Sequence, residues 1–182
     1  MMSAENVKLI VLDVDGVLTD GKLYIGSDQV EYKPFHTKDG MGLSLARYAG
    51  IKTAIITGRK SPSVEKRAGE LKIDFVYQGI HHKQKVLDEI LESLSLTMED
   101  VCYVGDDIND LPVLRNAGFS CAPSDGVEIV KRDVDFVTKA KGGEGAVREV
   151  VEAILQEKGD LNQFIEDYLA GVTQSETIKL QQ

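Results

Sequence analysis

The chain has 182 residues, enough for one domain with a sizeable core, and its composition (42% hydrophobic, 28% charged) is that of an ordinary globular protein. A net charge of −9 excludes a general nucleic-acid binder, which needs a basic face, but not a small anionic substrate, because a few local cations dominate a single pocket. No apolar run is long enough to cross a membrane, and no secretory leader is expected, since the first apolar run is short and leads at once into Asp13. Cys102 and Cys121 sit in apolar, strand-like contexts and read as buried thiols of a reducing compartment, so the cytoplasm is the expected location.

In chain order, residues 7–12 predict a buried strand. It ends in Asp13-Val14-Asp15-Gly16-Val17-Leu18-Thr19-Asp20-Gly21. Residues 22–35 hold two short strand-like pieces around Gly26-Ser27-Asp28, which predicts a hairpin. Helical spacing of Met41, Leu45 and Tyr48 predicts a helix over 39–49, closed by Gly50. A buried strand follows at 53–56, then a helix opened by Ser61-Pro62 and reaching about Leu71. Further on come a strand at 75–77, an amphipathic helix at 83–94, a strand at 101–104 and a short helix at 110–116. Strands at 119–122 and 136–137 flank a helix near 127–130. Helices at 146–156 and 161–169 precede a polar tail over 173–182, expected to be mobile. Strand and helix alternate, so the fold class is α/β: a parallel, Rossmann-like sheet flanked by helices, as one domain over 1–172. No segment between strand-end motifs has room for a cap domain.

In such folds ligands sit at the carboxyl ends of the strands, and the polar residues there form a set. The first strand delivers Asp13 and Asp15, which share a side because they are two apart. Alone, the pair has three uses: binding a metal, holding a nucleophile or capping the next element. The second strand delivers Thr57-Gly58-Arg59, the strand at 101–104 delivers Gly105-Asp106-Asp107 with Asp110 close behind, and Lys83 opens a helix. Turn chemistry does not account for their joint occurrence, whereas phosphoryl transfer does. Clustered carboxylates bind Mg²⁺, a hard cation that takes oxygen ligands. Asp13 is the candidate nucleophile, passing through an aspartyl-phosphate. Asp15 is the candidate acid/base, Thr57 with nearby N–H groups the phosphoryl cradle, Lys83 a point charge, Asp106 a metal ligand and Asp110 the partner of Lys83.

These motifs resemble the haloacid dehalogenase (HAD) superfamily in order, spacing and strand context. The whole chain further resembles the 3-deoxy-D-manno-octulosonate 8-phosphate (KDO 8-phosphate) phosphatase family. That narrower likeness rests on residues 13–21, Phe35-His36-Thr37-Lys38-Asp39-Gly40-Met41-Gly42, Tyr77-Gln78-Gly79 and Gly142-Gly143-Glu144-Gly145-Ala146-Val147-Arg148-Glu149. The resemblance implies that Asp13, the Asp15 backbone carbonyl and Asp106 hold Mg²⁺. It implies that Asp15, His36, Thr37, Lys38, Asp39, Gly40, Arg59, Arg67 and Lys83 line the substrate site, supported by Gly58, Asp107 and Asp110. It also implies a homotetramer in which hairpins form a central barrel and a neighbour with its tail shields each site, and a place in the pathway to the lipopolysaccharide inner core. The implied substrate is a small phosphorylated sugar acid.

Lys38, Arg59, Lys60 and Arg67 offer a cationic rim to such a substrate. Similar relatives acting on nine-carbon keto acids (KDN 9-phosphate) can carry Glu at the position of Arg59, so Arg59 favours the eight-carbon acid. Ser44 departs from family members that have Arg there. His81 and His82 read as loop residues, because Mg²⁺ prefers oxygen. A phospho-receiver or regulatory domain is the non-enzymatic alternative, but its adjacent acids follow the first strand, where this chain has the spaced pair. A dinucleotide-binding module would need Gly-x-Gly-x-x-Gly after that strand.

Overall fold

A computed structural model describes the backbone of residues 4–180 and the side chains of residues 4–172. A six-stranded parallel sheet has the order β5-β4-β1-β6-β7-β8. Its strands are β1 (Leu9–Leu12), β4 (Lys52–Thr57), β5 (Phe75–Gln78), β6 (Val101–Val104), β7 (Phe119–Ala122) and β8 (Phe136–Val137). The helices α1 (Thr37–Tyr48), α2 (Pro62–Leu71), α3 (Lys83–Leu94), α4 (Leu111–Leu114), α5 (Glu128–Asp133), α6 (Ala146–Lys158) and α7 (Leu161–Leu180) flank it.

Period-two alternation sorts each strand onto two apolar layers. Ile10, Leu12, Ile55, Cys102, Val104 and Cys121 pack with Leu43 and Leu45 of α1 and Val147, Val150, Val151 and Ile154 of α6. Leu9, Val11, Ala54, Ile56, Val101 and Tyr103 pack with Leu87, Ile90 and Leu91 of α3 and Leu111, Val113 and Leu114 of α4. The central strand β1 is fully buried and pairs with β4 and β6, so Asp13, Thr57 and Gly105 emerge side by side.

Between β1 and α1 lies the predicted hairpin, as β2 (Tyr24–Ile25) and β3 (Glu31–Tyr32), with Tyr24 opposite Tyr32. It is shorter than residues 22–35, because only two residues on each side pair. Most helix bounds agree with the sequence reading within two or three residues. α1 begins earlier, at Thr37, because the His36 Nδ1 accepts from the Lys38 N–H at 3.1 Å and caps the helix. The last helix was expected to end at Leu169 and instead continues to Leu180. Gly171 weakens a helix by about 1 kcal/mol relative to Ala but does not end one. The expected mobility of 173–182, and its shielding of a neighbour's site, lie outside the described side chains.

Candidate active site

The loop after β1 is wound around one carbonyl. Val14 O accepts from the N–H groups of Val17, Leu18 and Thr19 at 2.9–3.1 Å and from Thr19 Oγ1 at 3.3 Å. This fixes Asp13 and Asp15 at the strand end. Asp13 is buried; its Oδ1 accepts from the Val14 N–H at 2.7 Å and its Oδ2 pairs with Lys83 Nζ at 2.7 Å. Burial lifts the Asp13 carboxyl above its ordinary range, and Asp110 adds to the lift while Lys83 opposes it.

Lys83, the first residue of α3, is 3% exposed. Burial would lower its ammonium, but Asp13 and Asp110 outweigh that and raise it, so it is held charged. Asp110 accepts at Oδ1 from Lys83 Nζ at 2.8 Å and from the Tyr103 hydroxyl at 2.7 Å, and at Oδ2 from the Asp106 N–H at 3.1 Å. A buried chain Tyr103–Asp110–Lys83–Asp13 thus stands behind the strand ends. Gly105 makes room for it, because a Cβ there would lie 2.5 Å from Asp110.

Carboxylate oxygens of Asp13, Asp106 and Asp110 lie within 4.8 Å of one another. Asp110 is committed to its three donors, which leaves Asp13 and Asp106 facing out. Burial, reinforced by Asp110, Asp13 and Asp107 and opposed by Lys83, pushes Asp106 up to about 8. Its carboxylate makes no hydrogen bond or ion pair among the described residues. A half-buried acid crowded by other acids and lacking a paired cation fits a hard divalent ion. Gly16 (φ +84°) permits the approach, since a Cβ there would meet Asp106 Oδ2 at 2.0 Å.

A cleft of about 180 Å³ opens in front, lined by Asp13, Asp15, Thr57, Gly58, Arg59, Asp106, Asp107 and Asn109. A larger hollow of about 290 Å³ lies at the amino ends of β7 and β8, beside α6, and holds none of these residues, so size does not identify the site. Lys83 stands behind Asp13, paired with it and with Asp110, and is not among the residues that line the cleft.

Asp39 also departs from expectation. It is 1% exposed, and its Oδ1 accepts from the Arg148 N–H at 2.9 Å. Its Oδ1 sits at the amino end of α6, where the helix dipole favours an anion, and Asp39 is not among the residues that line the cleft. His36, Thr37, Lys38, Gly40 and Arg67 likewise fall outside the cleft wall. His36 caps α1, and Gly40 lies against Arg67, where a Cβ would meet Nη2 at 2.6 Å. Ser44 donates back to Gly40 O at 3.2 Å within its own helix.

Four residues escaped the sequence reading. Asn109 lines the cleft, and Tyr103 anchors Asp110. Lys33 and Glu31 arrive from the hairpin: Lys33 Nζ pairs with Asp15 Oδ1 and, at 2.8 Å, with Glu31 Oε1. The signal was the alternation Glu31-Tyr32-Lys33, which puts the two charges on one face and Tyr32 on the other.

A haloacid dehalogenase-like hydrolase family model matches residues 27–118. The chain is 44% identical over 163 residues to the 3-deoxy-D-manno-octulosonate 8-phosphate phosphatase KdsC of Escherichia coli strain B / BL21-DE3, across 90% of this chain and 87% of the relative. The crystal structure of the Moraxella catarrhalis 3-deoxy-D-manno-octulosonate 8-phosphate phosphatase, in complex with magnesium ion, phosphate ion and KDO, is similar at a TM-score of 0.88 and 39% identity, covering 91% of this chain and 95% of that one. A probable YrbI family phosphatase from Pseudomonas syringae pv. phaseolica 1448a gives 0.88 and 45%, covering 91% and 94%.

Proposed function

The chain belongs to the haloacid dehalogenase-like hydrolases, within them to the KDO 8-phosphate phosphatases, and from that premise we propose how its own residues carry the reaction. The enzyme is a Mg²⁺-dependent phosphomonoesterase that releases phosphate and KDO from KDO 8-phosphate. The observation that carries this reading is the buried Asp13–Lys83–Asp110 chain beside the unpaired Asp106, in a chain so similar to phosphatases of that name.

Asp13, the Asp15 backbone carbonyl and Asp106 would hold the ion. When bound, it supplies positive charge that offsets phosphate repulsion. Asp13 attacks phosphorus with one carboxylate oxygen, and the bond to the sugar oxygen breaks, leaving an aspartyl-phosphate. Asp15 gives a proton to that sugar oxygen and then takes one from the water that frees phosphate. Thr57, buried at the end of β4 and lining the cleft, steadies the phosphoryl oxygens with neighbouring N–H groups. Lys83 fixes the Asp13 carboxylate from behind. Arg59 takes the carboxylate of the sugar acid, a planar partner suited to guanidinium.

The same reading places the enzyme in the cytoplasm, in the pathway to the lipopolysaccharide inner core, as a homotetramer. The hairpin supports the assembly, because it exposes Leu23, Tyr24, Ile25, Val30 and Tyr32 together. The test is phosphate release from a panel holding KDO 8-phosphate, KDN 9-phosphate and simple sugar phosphates. KDO 8-phosphate is expected to give the highest kcat/KM; a flat profile, or preference for the nine-carbon acid, would reject the substrate assignment.

A further inference from the structure

Arg59 is already engaged within its own chain. Its Nη2 is 2.5 Å from Glu31 Oε2, and its Nε is 3.8 Å from Asp15 Oδ2. Lys33 Nζ joins Asp15 to Glu31 from the other side. Asp15, Lys33, Glu31 and Arg59 therefore close a ring of alternating charge between the β1 loop, the hairpin and the β4 end. Within it Glu31 presents to Arg59 the same group that a sugar acid would present.

We propose that Glu31 is a resident competitor for Arg59, an intramolecular carboxylate that an acid substrate displaces and that retakes the guanidinium as the acid product leaves. This rests on the reading that Arg59 receives the substrate carboxylate. The positions favour exchange over a permanent tie. The Arg59 side chain is 48% exposed, so an incoming acid reaches it from solvent. The Lys33 side chain is 2% exposed and holds the other oxygen of Glu31, so a displaced Glu31 keeps a cation partner. Glu31 sits on a two-residue strand beside a turn, where backbone movement is cheap.

Competition multiplies every apparent dissociation constant for a ligand that needs Arg59 by the inverse of the fraction of Arg59 left free. A partly exposed ion pair makes that factor about two to five. The effect falls on substrate and product alike, because both carry the carboxylate, and it spares phosphate esters that lack one. Glu31 thus trades substrate affinity for product release.

The experiment is steady-state kinetics of the full chain with Mg²⁺, using KDO 8-phosphate, a pentose 5-phosphate and added KDO. In Glu31→Gln, KM for KDO 8-phosphate and the inhibition constant of KDO are expected to fall together, by about two- to fivefold, with KM for the pentose 5-phosphate unchanged. In an Arg59→Ala background the same substitution should change neither. If Glu31→Gln disturbs folding, Glu31→Asp draws the carboxylate back by one methylene, keeps the charge, and should shift both constants in the same direction. Unchanged KDO inhibition, or a rise in KM for both esters, would overturn the inference and make Glu31 a fixed tie. Failure of the wild type to release phosphate from either ester would overturn the phosphatase reading and this inference with it.

Discussion

Lys83 holds together groups that would otherwise repel. Asp13 and Asp110 face each other across it, and burial already disfavours the charge on Asp13. Replacing Lys83 by Met leaves two buried carboxylates without a cation, which costs about 3–5 kcal/mol. Urea unfolding should show that loss together with loss of turnover; a variant of wild-type stability would mean that the chain contributes nothing to the fold. Asp13→Asn should do the reverse. It removes a charge that the site strains to keep, so turnover vanishes while the melting temperature holds or rises, a separation of activity from stability measurable on one preparation. EDTA should silence the wild type and Mg²⁺ restore it, with Mg²⁺ also raising the melting temperature because it relieves the crowding on Asp106. Metal-independent hydrolysis would reject the assignment of Asp106.

At the scale of elements, both edges of the sheet use one device. Asp74 precedes β5, and its Oδ2 accepts from the N–H and hydroxyl of Thr53 on neighbouring β4, at 2.9 and 3.2 Å. Asp135 precedes β8 and does the same to Ser120 of β7, at 3.0 and 2.8 Å. Ile73-Asp74-Phe75-Val76 and Val134-Asp135-Phe136-Val137 carry this likeness in the sequence. Partial burial would raise Asp74, but Lys52 and Thr53 outweigh it and hold the carboxyl below its ordinary 3.8. A depressed value stabilises the fold above the ordinary pKa and is lost as pH falls through the folded one. Asp74→Ala should therefore cost about 1–2 kcal/mol at neutral pH, and the deficit should shrink as urea titrations move below about pH 4. A pH-independent deficit would rule out the charge as its source. Strand and helix positions were legible because periodicity and caps are local. Asp13, Asp15, Thr57, Arg59 and Asp106 were legible because strand ends in a parallel sheet converge. Asp39 was not, since its use at α6 joins residues 109 positions apart. Nor were Lys33 and Glu31, because a hairpin's reach depends on how its turn folds over the sheet edge.

For the whole molecule, the hairpin is the part that a single chain explains least. Two paired residues per strand are too few to stand alone in water. Yet Tyr24, Val30 and Tyr32 remain exposed on one face of it, while Glu31 and Lys33 on the other face reach the cleft. If copies of this chain bury the apolar face, assembly also steadies the ring around Asp15 and Arg59. Light scattering should then give the mass of four 20.0 kDa chains. A charge in the apolar face, as in Tyr32→Glu, should release single chains. It leaves Asp13, Lys83 and Asp106 in place, so what fails is the positioning of Asp15 and Arg59. The released chain should keep its Mg²⁺-dependent rise in melting temperature yet lose kcat and raise KM for KDO 8-phosphate. Single chains with full activity would separate assembly from catalysis and leave the hairpin's two faces unconnected.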